Sequence, residues 1–228
     1  MTIAAVIFDL DGVLIDSEGV WNAARKQVAL EHRGCWPPDA QRVMMGMSST
    51  EWSAYMHEQL GVALDPKQIS QTVVARLEAL YREHLPLMPG AREAVISFSR
   101  RWPLGLASSA NRPIIDLVLD LADLENHLAA TVSSEEVPHG KPAPDVYLET
   151  ARRLDATPGQ CVVVEDSSNG IRSAVTAGMA VIAVPNRGFP PSDDALALAE
   201  EVLESLTQLV PDRVERSTDA ATRRGESS

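Results

Sequence analysis

The sequence predicts an α/β fold: a doubly wound parallel sheet with a block of helices inserted after its first strand. Three observations lead there. Five short apolar runs recur along the 228 residues, at Ala4–Phe8, Leu104–Ala107, Ala130–Val132, Cys161–Val164 and Ala180–Val184. All but the third are nearly continuous in apolar residues, as strands covered on both faces of a parallel sheet are. Segments of helical period separate the later runs, and strands alternating with helices imply parallel strands joined by crossovers. Residues 17 to about 88, between the first and second runs, hold no convincing strand and several helix-period stretches instead.

The elements follow in order. The first run stops at Asp9-Leu10-Asp11-Gly12, two carboxylates spaced i, i+2 and a glycine where the chain can turn away. Asp16-Ser17 is a capping signal for a helix running to about Arg33, with Asp16 and Glu18 read as capping residues. Ser49–Leu60 has Trp52, Tyr55, Met56 and Leu60 at helical spacing. Pro66–His84 repeats the pattern with Ile69, Val73, Leu77, Leu80 and Tyr81. Further helices are expected over Pro89–Arg101, Arg112–Leu121, Ala143–Leu154 and Ser167–Ala177. The domain division that results is a core of residues 1–16 and 89–212, a helical cap of residues 17–88, and a tail of 213–228. That tail is polar and without periodicity, so it is expected to be disordered.

Composition excludes several function classes. Lys and Arg total 20 against 32 Asp and Glu, a formal charge of −12, with no long basic cluster. Nucleic acid and membrane surfaces are therefore not expected partners. Cys35 and Cys161 are far apart and in no metal-binding or disulfide pattern. The N-terminus has no basic segment with a cleavage site, and no apolar run reaches the roughly 20 residues of a membrane span. A cytoplasmic protein is expected, with an oligomeric state the sequence leaves open and a monomer compatible with it.

Chemistry concentrates where strands end. In a strand, residues i and i+2 share a side, so Asp9 and Asp11 stand together. Adjacent carboxylates repel unless a cation or proton lies between them, and Mg²⁺ prefers such oxygens. The second run ends in Ser108-Ser109-Ala110-Asn111, Gly140-Lys141-Pro142 follows the third, and the fourth ends in Glu165-Asp166-Ser167-Ser168-Asn169-Gly170. A parallel sheet brings these ends to one edge. Carboxylates, a hydroxyl, a lysine and a helix N-terminus gathered there make a metal and anion site. Asp9 can serve as a nucleophile towards phosphorus, and Asp11 as an acid and base. Lys141 and Ser108 can hold the phosphate oxygens, while Asp166 shares a metal with Asp9. Taken singly, each has a bland reading: Ser108 as a helix cap, Lys141 as a solvated surface cation, Glu165-Asp166 as an acidic helix start.

These residues in this order, Asp9-Leu10-Asp11-Gly12-Val13, Ser108, Gly140-Lys141-Pro142 and Glu165 to Ile171, resemble the haloacid dehalogenase-like hydrolases over about residues 1 to 209. The resemblance is closest to their small phosphatases and β-phosphoglucomutases. It implies a Rossmann-like core with a helical cap and Mg²⁺ as cofactor. It also implies Asp9 as nucleophile and metal ligand, and Asp11 as acid/base and ligand through its carbonyl. Ser108, Ser109, Asn111 and Lys141 fall on the phosphate side, and Asp166, with Glu165, on the metal. Members that cleave carbon–halogen bonds lack the second acid, so Asp11 implies phosphoryl transfer on a small phosphorylated metabolite.

The cap separates the two remaining activities. Met45-Gly46-Met47-Ser48-Ser49 is similar to the substrate-facing cap loop of these families. The mutases carry an arginine there for a second phosphate, where this chain has Ser49. They also carry a histidine at the position of Trp21. Losing a bidentate cation and a titratable ring favours a phosphatase over a β-phosphoglucomutase. Trp21, Gly46 and Ser49 are thus candidate cap contacts to substrate, and Trp21, Met44, Met45, Met47 and Trp52 read equally as an apolar lining of the site or as the core of the cap. A non-catalytic binding protein is the third reading, against which stand the retained Asp9, Asp11, Ser108, Lys141 and Asp166.

Overall fold

A six-stranded sheet, wholly parallel, runs through the centre of the computed structural model, which describes residues 2–45, 47–186 and 188–216. Its strands are β1 (Ala5–Phe8), β2 (Leu104–Ser108), β3 (Ala130–Ser133), β4 (Cys161–Glu165), β5 (Ala180–Ala183) and β6 (Glu201–Val202). Their order is β3-β2-β1-β4-β5-β6. The chain winds outward from β1 through β2 to β3, then returns to β4 and winds the other way. The direction reverses between β1 and β4, and the crevice beyond their C-terminal ends is where such sheets take ligands.

Strand alternation divides the core between two faces. Val6, Phe8, Leu104, Leu106, Val162 and Val164 belong to one buried cluster, together with Val95 and Phe98 of α5 (Ala91–Ser99) and Ile114, Ile115 and Val118 of α6 (Arg112–Ala122). Ala5, Ile7, Cys161 and Val163 belong to the other. Val146, Tyr147 and Ala151 of α7 (Asp145–Arg153) and Ile171 and Ala174 of α8 (Ser168–Thr176) complete it. This double coverage is why β1 and β4 carry almost no polar residue before their last position.

Four helices lie between β1 and β2: α1 (Glu18–Glu31), α2 (Ala40–Met44), α3 (Ser49–Glu58) and α4 (Pro66–Glu83). Asp65 caps α4 by accepting from the Gln68 amide at 2.9 Å, and Pro66 opens the helix, where a missing N–H costs nothing. Its buried stripe is Ile69, Val73, Leu77 and Tyr81. With that stripe α4 packs on α1 and α3, and it also contacts α6, tying the insert to the core. The segments entering and leaving the insert run side by side: the Asp16 amide donates to Pro86 O at 2.8 Å and Met88 to Leu14 O at 2.9 Å.

The structure departs from the sequence reading in a few places. β6 was not foreseen, nor were α2 and α9 (Asp193–Leu196), all too short to show a period. Ser17 occupies the N-cap of α1 without making a capping bond, and its buried hydroxyl has no partner among the described residues. Glu18 does not cap either; its carboxylate accepts from Gln41 Nε2 at 2.6 Å. Residues 211–216 are helical with Val214 buried, so order extends past Arg213, where a disordered tail was expected. Residues 217–228 lie outside the described residues. Both cysteines are free. Among the described residues no helix is long and apolar enough to cross a membrane.

Candidate active site

The ends of β1 and β4 meet at the sheet's reversal point, and three carboxylates meet with them. Phe8 pairs with Val164, so Asp9 emerges beside Glu165, and the Asp9 amide continues the ladder to Val164 O at 3.0 Å. Asp9, Glu165 and Asp166 are buried, each with a carboxylate oxygen within 4.8 Å of the others. Three such acids in one dry pocket repel strongly unless compensated. Lys141 supplies part of the compensation. Its ammonium donates to Asp9 Oδ1 at 2.8 Å, to Glu165 Oε1 at 2.7 Å and to Ala107 O at 3.3 Å.

Glu165 is the most fully engaged of the three. Oε1 also accepts from Tyr147 Oη at 3.0 Å, and Oε2 from the amides of Asp166 and Ser167, both at 2.8 Å, and from Ser167 Oγ at 3.1 Å. Five donors fill the four or so lone-pair directions of a carboxylate. Two glycines make room for this packing. A Cβ on Gly170 would lie 1.5 Å from Glu165 Oε1. Gly12, at φ +82°, has Asp166 Oδ2 at 2.0 Å from the position of its missing Cβ.

The charges respond to one another. Burial raises the Asp9 carboxyl to about 8, with Glu165 and Asp11 adding to the rise and Lys141 opposing it. Burial together with Glu165 and Asp9 also pushes Asp166 well above the usual carboxylate range. Glu165 goes the other way: burial opposes its charge, but Lys141 and the hydrogen bonds hold it below its ordinary value. Burial opposes the charge on Lys141 as well, and Asp9 and Glu165 overcome it, so Lys141 stays protonated.

A pH dependence follows. Asp9 binds its proton more tightly folded, at about 8, than at its ordinary 3.8. Its contribution to stability is thus full below pH 4 and is lost as pH rises through about 8. Glu165 has the opposite sign, and its contribution is lost only as pH falls below the ordinary carboxylate range. Between pH 5.5 and 8 the acidic pair dominates. Melted in EDTA, the protein is expected to lose stability across that window. A divalent cation held by these carboxylates would raise the melting temperature more at pH 8 than at pH 5.5. An equal shift at both would show that the ion does not engage these carboxylates.

Over the acids lies a cavity of about 400 Å³. Asp9, Asp11, Lys141 and Asp166 line its floor, while Trp21, Arg25, Met44, Met45, Met47 and Trp52 come from the helical insert. Asp11 links the two parts: Trp21 Nε1 donates to its Oδ1 at 2.9 Å, and Ser108 Oγ to its Oδ2 at 3.4 Å. A helical lid thus closes on a floor of acids and a lysine at the end of a parallel sheet.

The family model of the haloacid dehalogenase-like hydrolases matches residues 3–178. The chain belongs to this family. Hexitol phosphatase B of Escherichia coli (strain K12) is 36% identical over 213 residues, covering 91% of this chain and 94% of that protein. A phosphorylated carbohydrates phosphatase of Thermotoga maritima is 34% identical over 177 residues, 77% of this chain and 82% of its own length. Among solved structures, β-phosphoglucomutase from Clostridium difficile has a TM-score of 0.84 at 22% identity, covering 97% of this chain and 99% of that one, a likeness of fold.

Set within this haloacid dehalogenase-like fold, the residues singled out from sequence separate into three groups. Asp9, Asp11, Ser109, Lys141, Asp166 and Trp21 line the cavity, with Glu165 and Ser108 buried directly behind. Ser49 and Asn111 do not line it. Ser49 Oγ donates to Glu135 Oε1 at 2.6 Å, and Asn111 Nδ2 donates to the same oxygen at 2.9 Å and to Ser70 Oγ at 3.3 Å. Expected to touch substrate and phosphate, both are instead drawn to one carboxylate that joins insert to core. Gly46 lies outside the described residues. Sequence reasoning passed over Glu135, Tyr147 and Arg25. For Arg25 a signal existed, since Glu18, Trp21 and Arg25 at i, i+3, i+7 share one helix face.

Proposed function

We propose that this chain is a Mg²⁺-dependent phosphatase hydrolysing a small phosphomonoester, a sugar phosphate or similar metabolite, through a phosphoryl intermediate on Asp9. The observation that carries the reading is Asp9 on the floor of the cavity, 2.8 Å from the Lys141 ammonium, beside Asp166 and two residues before Asp11. The relatives' names as phosphatases of hexitols and phosphorylated carbohydrates agree with it. The core comprises residues 2–16 and 89–216, extended past 212 because Val214 is buried in it, and the cap residues 17–88, in a protein of the cytoplasm.

The donor set fits a hard divalent ion, being carboxylate oxygens held close together. Asp9 and Asp166 would hold it, with the backbone at Asp11. Glu165, whose lone pairs are already occupied, orients Lys141 and the turn after β4 rather than ligating, a departure from its sequence reading. When bound, the ion neutralises charge between the nucleophile and an anionic phosphoryl group. Asp9 attacks phosphorus and the ester P–O bond breaks. Asp11, its Oδ1 held by Trp21, gives a proton to the departing oxygen. In the second half Asp11 takes a proton from water, the oxygen of that water attacks phosphorus, and the bond to Asp9 breaks to release inorganic phosphate. Lys141, its three protons directed to Asp9, Glu165 and Ala107 O, places a positive charge beside the phosphoryl oxygens, and Ser109 lines the cavity next to them. Trp21 and Ser49 stand where the mutases carry a titratable ring and a cation for a second phosphate, which supports hydrolysis; the cations lining the cap side of this cavity are Arg25 and Arg42 instead.

Product analysis with Mg²⁺ across a panel of phosphomonoesters, including β-glucose 1-phosphate primed with its bisphosphate, tests this. Inorganic phosphate release that EDTA abolishes is the expected result. Conversion to glucose 6-phosphate with little free phosphate would make the chain a mutase.

A further inference from the structure

Arg25 brings a charge into the cap and meets no acceptor there. It is 5% exposed, and among the described residues it makes no hydrogen bond or ion pair, its Nε being buried without a partner. Its guanidinium carbon lies 4.5 Å from the centroid of Trp21 and 4.9 Å from that of Trp52. The two indoles fix the guanidinium and partly offset its desolvation, but an aromatic face satisfies no N–H donor directed along the guanidinium plane. Burial lowers its pKa to about 10, against the opposing pull of the Glu18 and Asp11 charges, so it remains a cation at neutral pH. Its side chain lines the same cavity as Asp9.

Glu18 lies two turns earlier on the same face of α1 and lines the cavity too. One of its oxygens accepts from Gln41; its charge and that of Arg25 act on each other, but no hydrogen bond joins them. The cap side of the cavity therefore holds, besides the exposed Arg42, a buried cation with no hydrogen bond, Arg25, and near it a carboxylate acceptor, Glu18.

We infer that Arg25 and Glu18 together recognise hydroxyl groups on the body of the substrate, making this a site for polyhydroxylated phosphomonoesters; the inference rests on the phosphatase reading above. A hydroxyl accepts from a guanidinium and donates to a carboxylate at once. A second phosphate can only accept, and it would stand close to the negative charges of Glu18 and Asp11. An apolar body would leave both groups desolvated and unpaired. Trp21 couples the two ends of the site, its N–H on Asp11 and its ring against Arg25.

The test is phosphate release by the full-length protein from sorbitol 6-phosphate, n-hexyl phosphate and fructose 1,6-bisphosphate. Wild type should prefer the polyol ester over the hexyl ester by at least about tenfold in kcat/KM, mainly through KM. Arg25→Met, similar in length and helix propensity, should reduce that preference at least about tenfold. Arg25→Lys should retain part of it, and Glu18→Gln should lower it by a smaller factor. Glu18→Gln carries the test if Arg25→Met does not fold. An equal fall of Arg25→Met on both monoesters would make Arg25 a packing residue and overturn the proposal. So would a wild type without preference, or a loss confined to the bisphosphate, which would mark a second-anion site. Release from none of the esters by wild type would instead overturn the phosphatase reading, and this proposal with it.

Discussion

Asp9→Asn protein is expected to release phosphate at least about 10⁴-fold more slowly than wild type, while melting no lower at pH 8. The two effects have separate causes. The amide matches the carboxylate in shape and can still accept from Lys141, but its oxygen is a poor nucleophile and its nitrogen carries no free pair. Stability moves the other way because Asp9 is a buried acid whose carboxyl is raised to about 8 by burial and by its acidic neighbours. Neutralising it removes one of three carboxylates from the cluster with Glu165 and Asp166, and Lys141 retains Glu165 at 2.7 Å. Steady-state phosphate release and a melt of the same preparation measure both. A folded Asp9→Asn protein retaining more than about 1% of the turnover would move the nucleophile to another residue.

The legibility of this chain follows the range of the interactions involved. β1, β2, β4 and β5 could be read because burial on both faces demands apolar residues at every position, a signal contained within four or five neighbours. β6 could not. Glu201 and Val202 form a two-residue edge strand, and nothing in so short a segment sets it apart from a loop. The floor of the site was legible for a topological reason. Once β1 and β4 are parallel neighbours, Asp9 and Asp166 have to meet, whatever the intervening sequence. The cap contacts had no such constraint. Ser49 finds Glu135 across 86 residues, and Asn111 finds it across 24. The pairing of Ser49 with Glu135, and of Asn111 with Ser70, depends on how α3 and α4 settle against the core, which neither period nor strand order encodes. The sequence alone therefore points Ser49 to the substrate and Asn111 to its phosphate, and gives no sign of Glu135, which accepts from both.

Lys141→Met is expected to cost about 3–5 kcal/mol in folding stability and to abolish turnover as well. A lysine preceding a proline would, from sequence alone, be solvated and worth little. Here its side chain is 3% exposed, its ammonium lies between Asp9 and Glu165, and it sits 4.9 Å from the centroid of the Tyr147 ring. Methionine fills the volume but leaves Asp9, Glu165 and Asp166 facing one another with no cation from the protein. The cluster can then relax only by taking up protons or by opening, and both oppose the ionised Asp9 that attack on phosphorus requires. Glu165, now held below its ordinary pKa mainly by Lys141, should rise on this change. A double-mutant cycle separates charge from packing. If the cost is unpaired charge, Glu165→Gln in the Lys141→Met background should recover part of the loss, so the pair costs less than the two single changes added. Urea denaturation of the four proteins at pH 7.5 measures the coupling. A Lys141→Met cost under about 1 kcal/mol, or strict additivity with Glu165→Gln, would mean that the lysine is a solvated surface cation and that the acids are compensated by something else.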